Sequence, residues 1–127
     1  MTIEHINPAG MATNPAFSQG VIAPAGRTLY VGGQNGVTSD GTLIEDRAEQ
    51  VAQAMRNLLT VLEAAGASQA DVVKLTIYLH PDLTADEGYG SAMPVWGRTP
   101  TAVTVVQVAS FARPGVVCEI DAVAALS

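Results

Sequence analysis

Asp71-Val72-Val73-Lys74-Leu75-Thr76-Ile77-Tyr78-Leu79-His80 is the stretch on which the reading of this chain turns. Val73, Leu75, Ile77 and Leu79 alternate with Lys74, Thr76, Tyr78 and His80, the period of a strand with one apolar and one polar face. Pro81 ends it, having no backbone N–H to give to a ladder. A strand patterned this way needs a layer of helices on its apolar side and something more polar on the other.

The flanking segments supply that layer. Upstream, roughly Asp46–Ala65 reads as a helix, because Val51, Met55, Leu58, Leu59 and Leu62 recur at spacings of three and four. Glu45, Asp46 and Glu49 favour the positive end of its dipole, and Gly66 is a natural stop. Downstream, Thr84–Trp96 reads as a shorter helix, weakened by Gly88, Gly90 and Pro94. Two further strands follow, Thr101–Ala109 and Gly115–Ala124, the second reached through the turn Arg113-Pro114-Gly115. Near the beginning, Ile3–Ile6 reads as a short strand. Phe17–Ala23 and Thr28–Gly33 read as a hairpin about Pro24-Ala25-Gly26-Arg27, whose Pro and Gly suit a turn. The order β-β-β-α-β-α-β-β implies an α+β fold, a mixed sheet with two helices on one face.

At 127 residues the chain suits one domain, 1–127, with one core. Hydrophobic residues make up 48% but aromatics only 5%, so the core is aliphatic. Charged residues are 14%, against roughly 25% in ordinary domains. The surplus apolar surface points to contact between copies of the chain. The net charge of -6, with no two of the six Lys and Arg adjacent, disfavours binding to nucleic acid or to an anionic membrane. A single cysteine permits no intrachain disulfide. No signal-peptide pattern opens the chain and no apolar run is long enough to span a bilayer, so a cytoplasmic location is expected.

Glu119 is the most informative residue for chemistry. Alternation along Val116–Val123 puts Val117, Glu119, Asp121 and Val123 on one face, with Cys118, Ile120 and Ala122 on the other. A carboxylate among valines is costly to desolvate unless it is paired or put to use. It therefore reads either as a general acid or base that handles a water, or as a strand carboxylate facing solvent or a partner such as Arg98. His5, His80 and Cys118 have no metal-ligand spacing, so no metal is expected. Cys118 reads as a buried, inert thiol. Ser18 lacks the G-x-S-x-G setting of a nucleophile elbow, and the glycines match neither a P-loop nor G-x-G-x-x-G.

Taken in order, six pieces resemble the Rid/YjgF family over nearly the whole chain. Asn14-Pro15-Ala16-Phe17-Ser18-Gln19-Gly20 is similar to its "G-P-Y-S-Q-A" segment, and Leu29-Tyr30-Val31-Gly32-Gly33-Gln34 to its "V-S-G-Q" strand end. Gln50–Gly66 resembles its long helix and Asp71–Leu79 its central strand. Val106-Gln107-Val108-Ala109 and Glu119-Ile120-Asp121-Ala122-Val123-Ala124 resemble its last two strands. The resemblance implies a chorismate-mutase-like fold and a homotrimer with a central barrel-like core. It implies small-molecule clefts between subunits and no cofactor. The activity implied is hydrolysis of enamines and imines, in which an arginine clamps the substrate carboxylate and a glutamate positions water.

Carried over, the glutamate falls on Glu119, while Ser18 and Gly33 match. The tyrosine falls on Phe17, which lacks the hydroxyl, and the arginine of "A-R-S-x-V" falls on Val103. The expected substrate-binding set is Phe17, Ser18, Gly33, Tyr89, Val103 and Val105, with Glu119 catalytic. Valine offers no donor for a charge-assisted hydrogen bond. The expectation is a deaminase-like hydrolase with an altered substrate class, or a trimer that binds a small ligand without turnover. Arg98 and Arg113 are the candidates to replace the missing guanidinium. Ribonuclease action, implied by the name some family members carry, is disfavoured by the charge.

Overall fold

The structure is a computed structural model that describes residues 2–127. Strands β1 (Glu4–Ile6) and β2 (Gly20–Ile22) form a two-stranded antiparallel ribbon. Strands β3 (Arg27–Gln34), β4 (Val72–Leu79), β5 (Ala102–Gln107) and β6 (Cys118–Leu126) form a four-stranded sheet in the order β3-β6-β4-β5. Helices α1 (Arg47–Ala64) and α2 (Ala85–Trp96) lie between them in sequence, and a single 3₁₀ turn, Gln69–Asp71, leads into β4. The sheet is mixed, because β4 runs antiparallel to β6 and parallel to β5. The α+β class is as the patterning implies.

One expectation is corrected. Phe17–Ala23 and Thr28–Gly33 do not form a hairpin: β2 pairs with β1, and β3 joins β6 in the other sheet. Pro24–Arg27 does turn the chain, with Gly26 at φ +147, but it carries it from one sheet to the next. Local turn chemistry reports a change of direction and says nothing of which strand will be the partner.

The core lies between the four-stranded sheet and the helices. Leu75, Ile77 and Leu79 of β4 and Cys118, Ile120 and Ala122 of β6 are buried there against Val51, Met55, Leu58 and Leu62 of α1. At the start of β4 the ladder slips between Val72 and Lys74, so Val72 enters the core and Val73 does not. α1 begins at Asp46, whose carboxylate accepts from the Glu49 N–H at 2.9 Å. It ends with Gly66 at φ +76, where the Gly66 and Ala67 N–H groups bond back to Glu63 and Leu62. α2 begins with a capping box between Thr84 and Glu87. Gly88 is where α2 rests on β4: a Cβ there would lie 2.6 Å from a methyl of Leu79.

Among the described residues, no helix packs on the other sheet face. Across it run three rows: Tyr30, Val123, Lys74 and Ala102; then Asp121, Thr76 and Thr104; then Glu119, Tyr78 and Val106. Tyr30 is 76% exposed at one corner. Lys74 Nζ donates to the Thr104 hydroxyl across β4 and β5. Among the described residues, no helix is long and apolar enough to cross a membrane.

Candidate functional site

Glu119 sits half-buried on the open face, as the alternation requires, while Cys118 beside it is fully buried. Burial, and then the Glu119 charge, push the Cys118 thiol up to about 12. Such a thiol is protonated and shut away, a packing residue. Glu119 is held from two sides. Its Oε1 accepts from the Asn35 side-chain amide at 3.2 Å, and the same amide reaches the Cys118 carbonyl at 3.3 Å. Asn35 is anchored in turn, since the Asn57 amide of α1 donates to the Asn35 and Val37 carbonyls at 3.1 and 2.9 Å. On the other side lies Gly33, where a Cβ would come within 2.5 Å of Glu119 Oε2. The carboxylate lies flat over a residue with no side chain, in a stretch where the β3–β6 register shifts between Val31 and Gln34.

Tyr78 faces Glu119 across the β4–β6 ladder. Burial and the negative charges of Asp121 and Glu119 push its phenol above the usual tyrosine range, with a hydrogen bond to Asp121 contributing in the same direction. The phenol therefore stays a neutral donor beside two carboxylates.

Glu119 and Gly33 are thus brought together, and the remaining expected residues are not with them. Ser18 is buried at the opposite end of β5: its N–H donates to the Thr101 carbonyl at 2.9 Å and it bridges to Ala102. Its hydroxyl lies 2.7 Å from His5 Nδ1, which ties the β1–β2 ribbon to the sheet. From the Ala102 row to the Glu119 row is four residues along the strands, about 13 Å. Phe17 belongs to this distant end, and its neighbours Pro15 and Ala16 share a cavity wall with Tyr89. Val103 and Val105 stand opposite Leu75 and Ile77 and pack with the core, on the helix side of the sheet. Within one chain they face away from Glu119.

The two arginines also separate. Arg113 donates to the Gly41 carbonyl at 3.1 Å. Arg98 lines the cavity with Tyr89, beyond the end of α2. Sequence reasoning missed Asn35 and Tyr78. Tyr78 was legible, since it shares the polar face of β4. Asn35 was not, because its reach depends on the shifted register beside Gly33.

A helix-backed mixed sheet in this strand order is a fold seen in solved proteins. A Rid family protein of unknown function from Yersinia pestis superposes with a TM-score of 0.87 at 33% identity, over 99% of this chain and all of that one. Rv2704 of Mycobacterium tuberculosis, from the YjgF/YER057c/UK114 family, gives 0.68 at 26% identity, over 98% and 100%. The sequence pattern of the endoribonuclease L-PSP family matches residues 8–126, and this chain belongs to that family, the Rid/YjgF family of the sequence resemblance. Protein DfrA of Myxococcus xanthus is 34% identical over 94% of this chain and 92% of its own length. The 2-iminobutanoate/2-iminopropanoate deaminase of Rattus norvegicus is 44% identical over 50% of this chain and 47% of its own length, so the chain spans about half of the deaminase it matches.

Proposed function

We propose that this protein is a deaminase-like hydrolase of imines or enamines, with Glu119 as general acid–base and with substrates that do not depend on a carboxylate clamp. The observation that carries the reading is the Glu119 carboxylate fixed by Asn35 and seated over Gly33, half-buried beside a neutral phenol. Kinship with a named 2-iminobutanoate/2-iminopropanoate deaminase supports the reaction class.

In the proposed reaction a water attacks the carbon of a C=N bond. Glu119 takes a proton from that water as the C–O bond forms and passes it to the nitrogen. A second proton moves from the new hydroxyl to the amine, the C–N bond breaks, and ammonia leaves a carbonyl product. An enamine enters after tautomerising to the imine. Proton handling of this kind contributes about 10²- to 10⁴-fold. Val103, at the position where the family's arginine is expected, carries no side-chain donor, which supports an uncharged or weakly anionic substrate. The proposed assembly is a homotrimer in which the bare sheet face is covered. In that assembly the proposed small-molecule cleft takes Phe17, Ser18, Tyr89, Val103 and Val105 from one chain and Gly33 and Glu119 from another.

Ammonia release is the assay, with imines generated in solution. Imines without a carboxylate should be turned over faster than 2-imino acids, and Glu119→Gln should lose about 10²-fold or more. Robust 2-imino acid turnover removes the altered substrate class, and unchanged turnover in Glu119→Gln removes Glu119 from the mechanism. The second reading, ligand binding without turnover, is favoured by the missing Phe17 hydroxyl and Val103 guanidinium. It predicts no ammonia from any imine, but a ligand-dependent rise in melting temperature.

A further inference from the structure

We propose that Asn35 is a positioning residue for the imine chemistry, one that makes Glu119 act through a single oxygen. Asn35 keeps Oε1 as an acceptor, and the proton in transit is carried on Oε2. This role rests on the deaminase-like reading of Glu119 and adds to it which oxygen reacts and what decides it.

The side-chain amide of Asn35 has two N–H bonds and uses both. It donates to the Cys118 carbonyl at 3.3 Å and to Glu119 Oε1 at 3.2 Å. A peptide carbonyl only accepts, so the amide has one setting. Turned over, Asn35 Oδ1 would face two oxygens with no proton between them. The loop that bears Asn35 is set in the same manner. Arg56 can only donate, and it donates to Gln53 Oε1 at 2.9 Å. The Gln53 NH2 is thereby turned to Asn57 Oδ1 at 2.8 Å, and the Asn57 NH2 to the carbonyls of Asn35 and Val37. From the surface of α1 to the acid, no amide can flip without setting like against like.

A carboxyl held this way is no longer symmetric. Oε1 receives an N–H in both protonation states, first as a carboxylate oxygen and then as the carbonyl oxygen of the neutral acid. A hydroxyl oxygen in that place would be the poorer acceptor, so the proton goes to the other oxygen. Oε2 lies over Gly33 on the edge strand β3, where Gly32 and Gly33 are exposed. The proton taken from water arrives on Oε2 as the C–O bond forms, and leaves it for the nitrogen. Water and the C=N bond therefore meet the acid from the side of Gly33.

The test is ammonia release by the full-length protein from imines generated in solution, with kcat and KM measured across pH. Wild type is compared with Asn35→Ala, which removes the donor, and Asn35→Asp, which keeps the size and puts an acceptor in its place. The same-sized variant carries the test should Asn35→Ala fail to fold. Tyr30, Lys74, Tyr78, His80 and Asp121, the other titratable groups on or beside this face, are common to all three. Asn35→Ala should lose about tenfold in kcat with KM within about twofold, the mark of a reacting group mis-set and not of a lost substrate contact. The acid limb of its kcat profile should move to higher pH, because a donor to the ionised acid is gone. In Asn35→Asp the limb should move further, since two carboxyls then compete for one proton. A role in packing alone would lower the melting temperature and leave the limb in place. Unchanged kcat and an unmoved limb in Asn35→Asp overturn the proposal, as does a rise in KM without a fall in kcat. A wild type that releases no ammonia from any imine removes the deaminase reading and this role with it. An active wild type matched by both Asn35 variants removes the role of Asn35 alone.

Discussion

A methyl group added at Gly33 meets the Glu119 carboxylate before it meets anything else, 2.5 Å from Oε2. The acid therefore owes its place to an absence on the neighbouring strand. Gly33→Ala is expected to leave the fold intact, since the group displaced is the end of a half-buried side chain. It should lower imine turnover about tenfold or more while far-UV circular dichroism is unchanged, the cost of a misplaced reacting group. Full activity in Gly33→Ala removes the packing of Glu119 on Gly33 from the account. At this scale the sequence was readable for Glu119 and Cys118, because period-two alternation assigns their faces without a partner strand. It was unreadable for Asn35. An asparagine just past a strand is an ordinary turn residue, and only the slipped register between Val31 and Gln34 brings its amide to the carboxylate. Val103 shows a further limit: the family pattern names the residue, and only the parallel register opposite Leu75 shows that it faces the helices.

The elements were legible where their signals are local. α1 declared its stripe and its Gly66 stop, and the structure uses both, while the capping role of Asp46 shows only in the structure. Strand pairing is not local. The turn at Pro24–Arg27 has the composition of a hairpin, yet the N-terminal β1 takes β2 as its partner and the distant β6 takes β3. α2 was readable despite Gly88, Gly90 and Pro94, and the structure gives Gly88 its reason. The fully buried Leu79 fills the space a side chain would occupy, and the core around it leaves little room to yield. Gly88→Ala is expected to destabilise the protein by about 1–3 kcal/mol through overpacking, despite the better helix propensity of alanine. Urea denaturation checks this, and a gain in midpoint would show that α2 can shift off β4 at no cost.

At the scale of the molecule, composition points to more apolar surface than one chain of this size covers; of the large hydrophobics left exposed, Tyr30 and Val106 lie on the uncovered sheet face, and Ile6, Met11 and Ile22 lie on the β1–β2 ribbon and its loop. Tyr30 at 76% and Val106 at 39% exposure stand at opposite corners of that face. The proposed homotrimer buries them. Tyr30→Lys is then expected to shift sedimentation from trimer toward monomer, by placing a hydrated ammonium in an apolar contact. A wild-type chain that sediments as a monomer at micromolar concentration would refute the assembly. No arrangement of copies is written in a single chain: composition offers only a surplus, and the trimer enters as what the family resemblance implies.

The clasp of Ser18 on Ala102 has a bearing on growth at the rim of the sheet. It closes the first rung of β5 with the chain's own backbone, while beyond Ala102 the outer edge of that strand has no ladder partner among the described residues. Unclaimed donors and acceptors in a row are a template for another polypeptide. Any visitor that lays itself along this rim finds one berth already taken, so its alignment is set before it arrives.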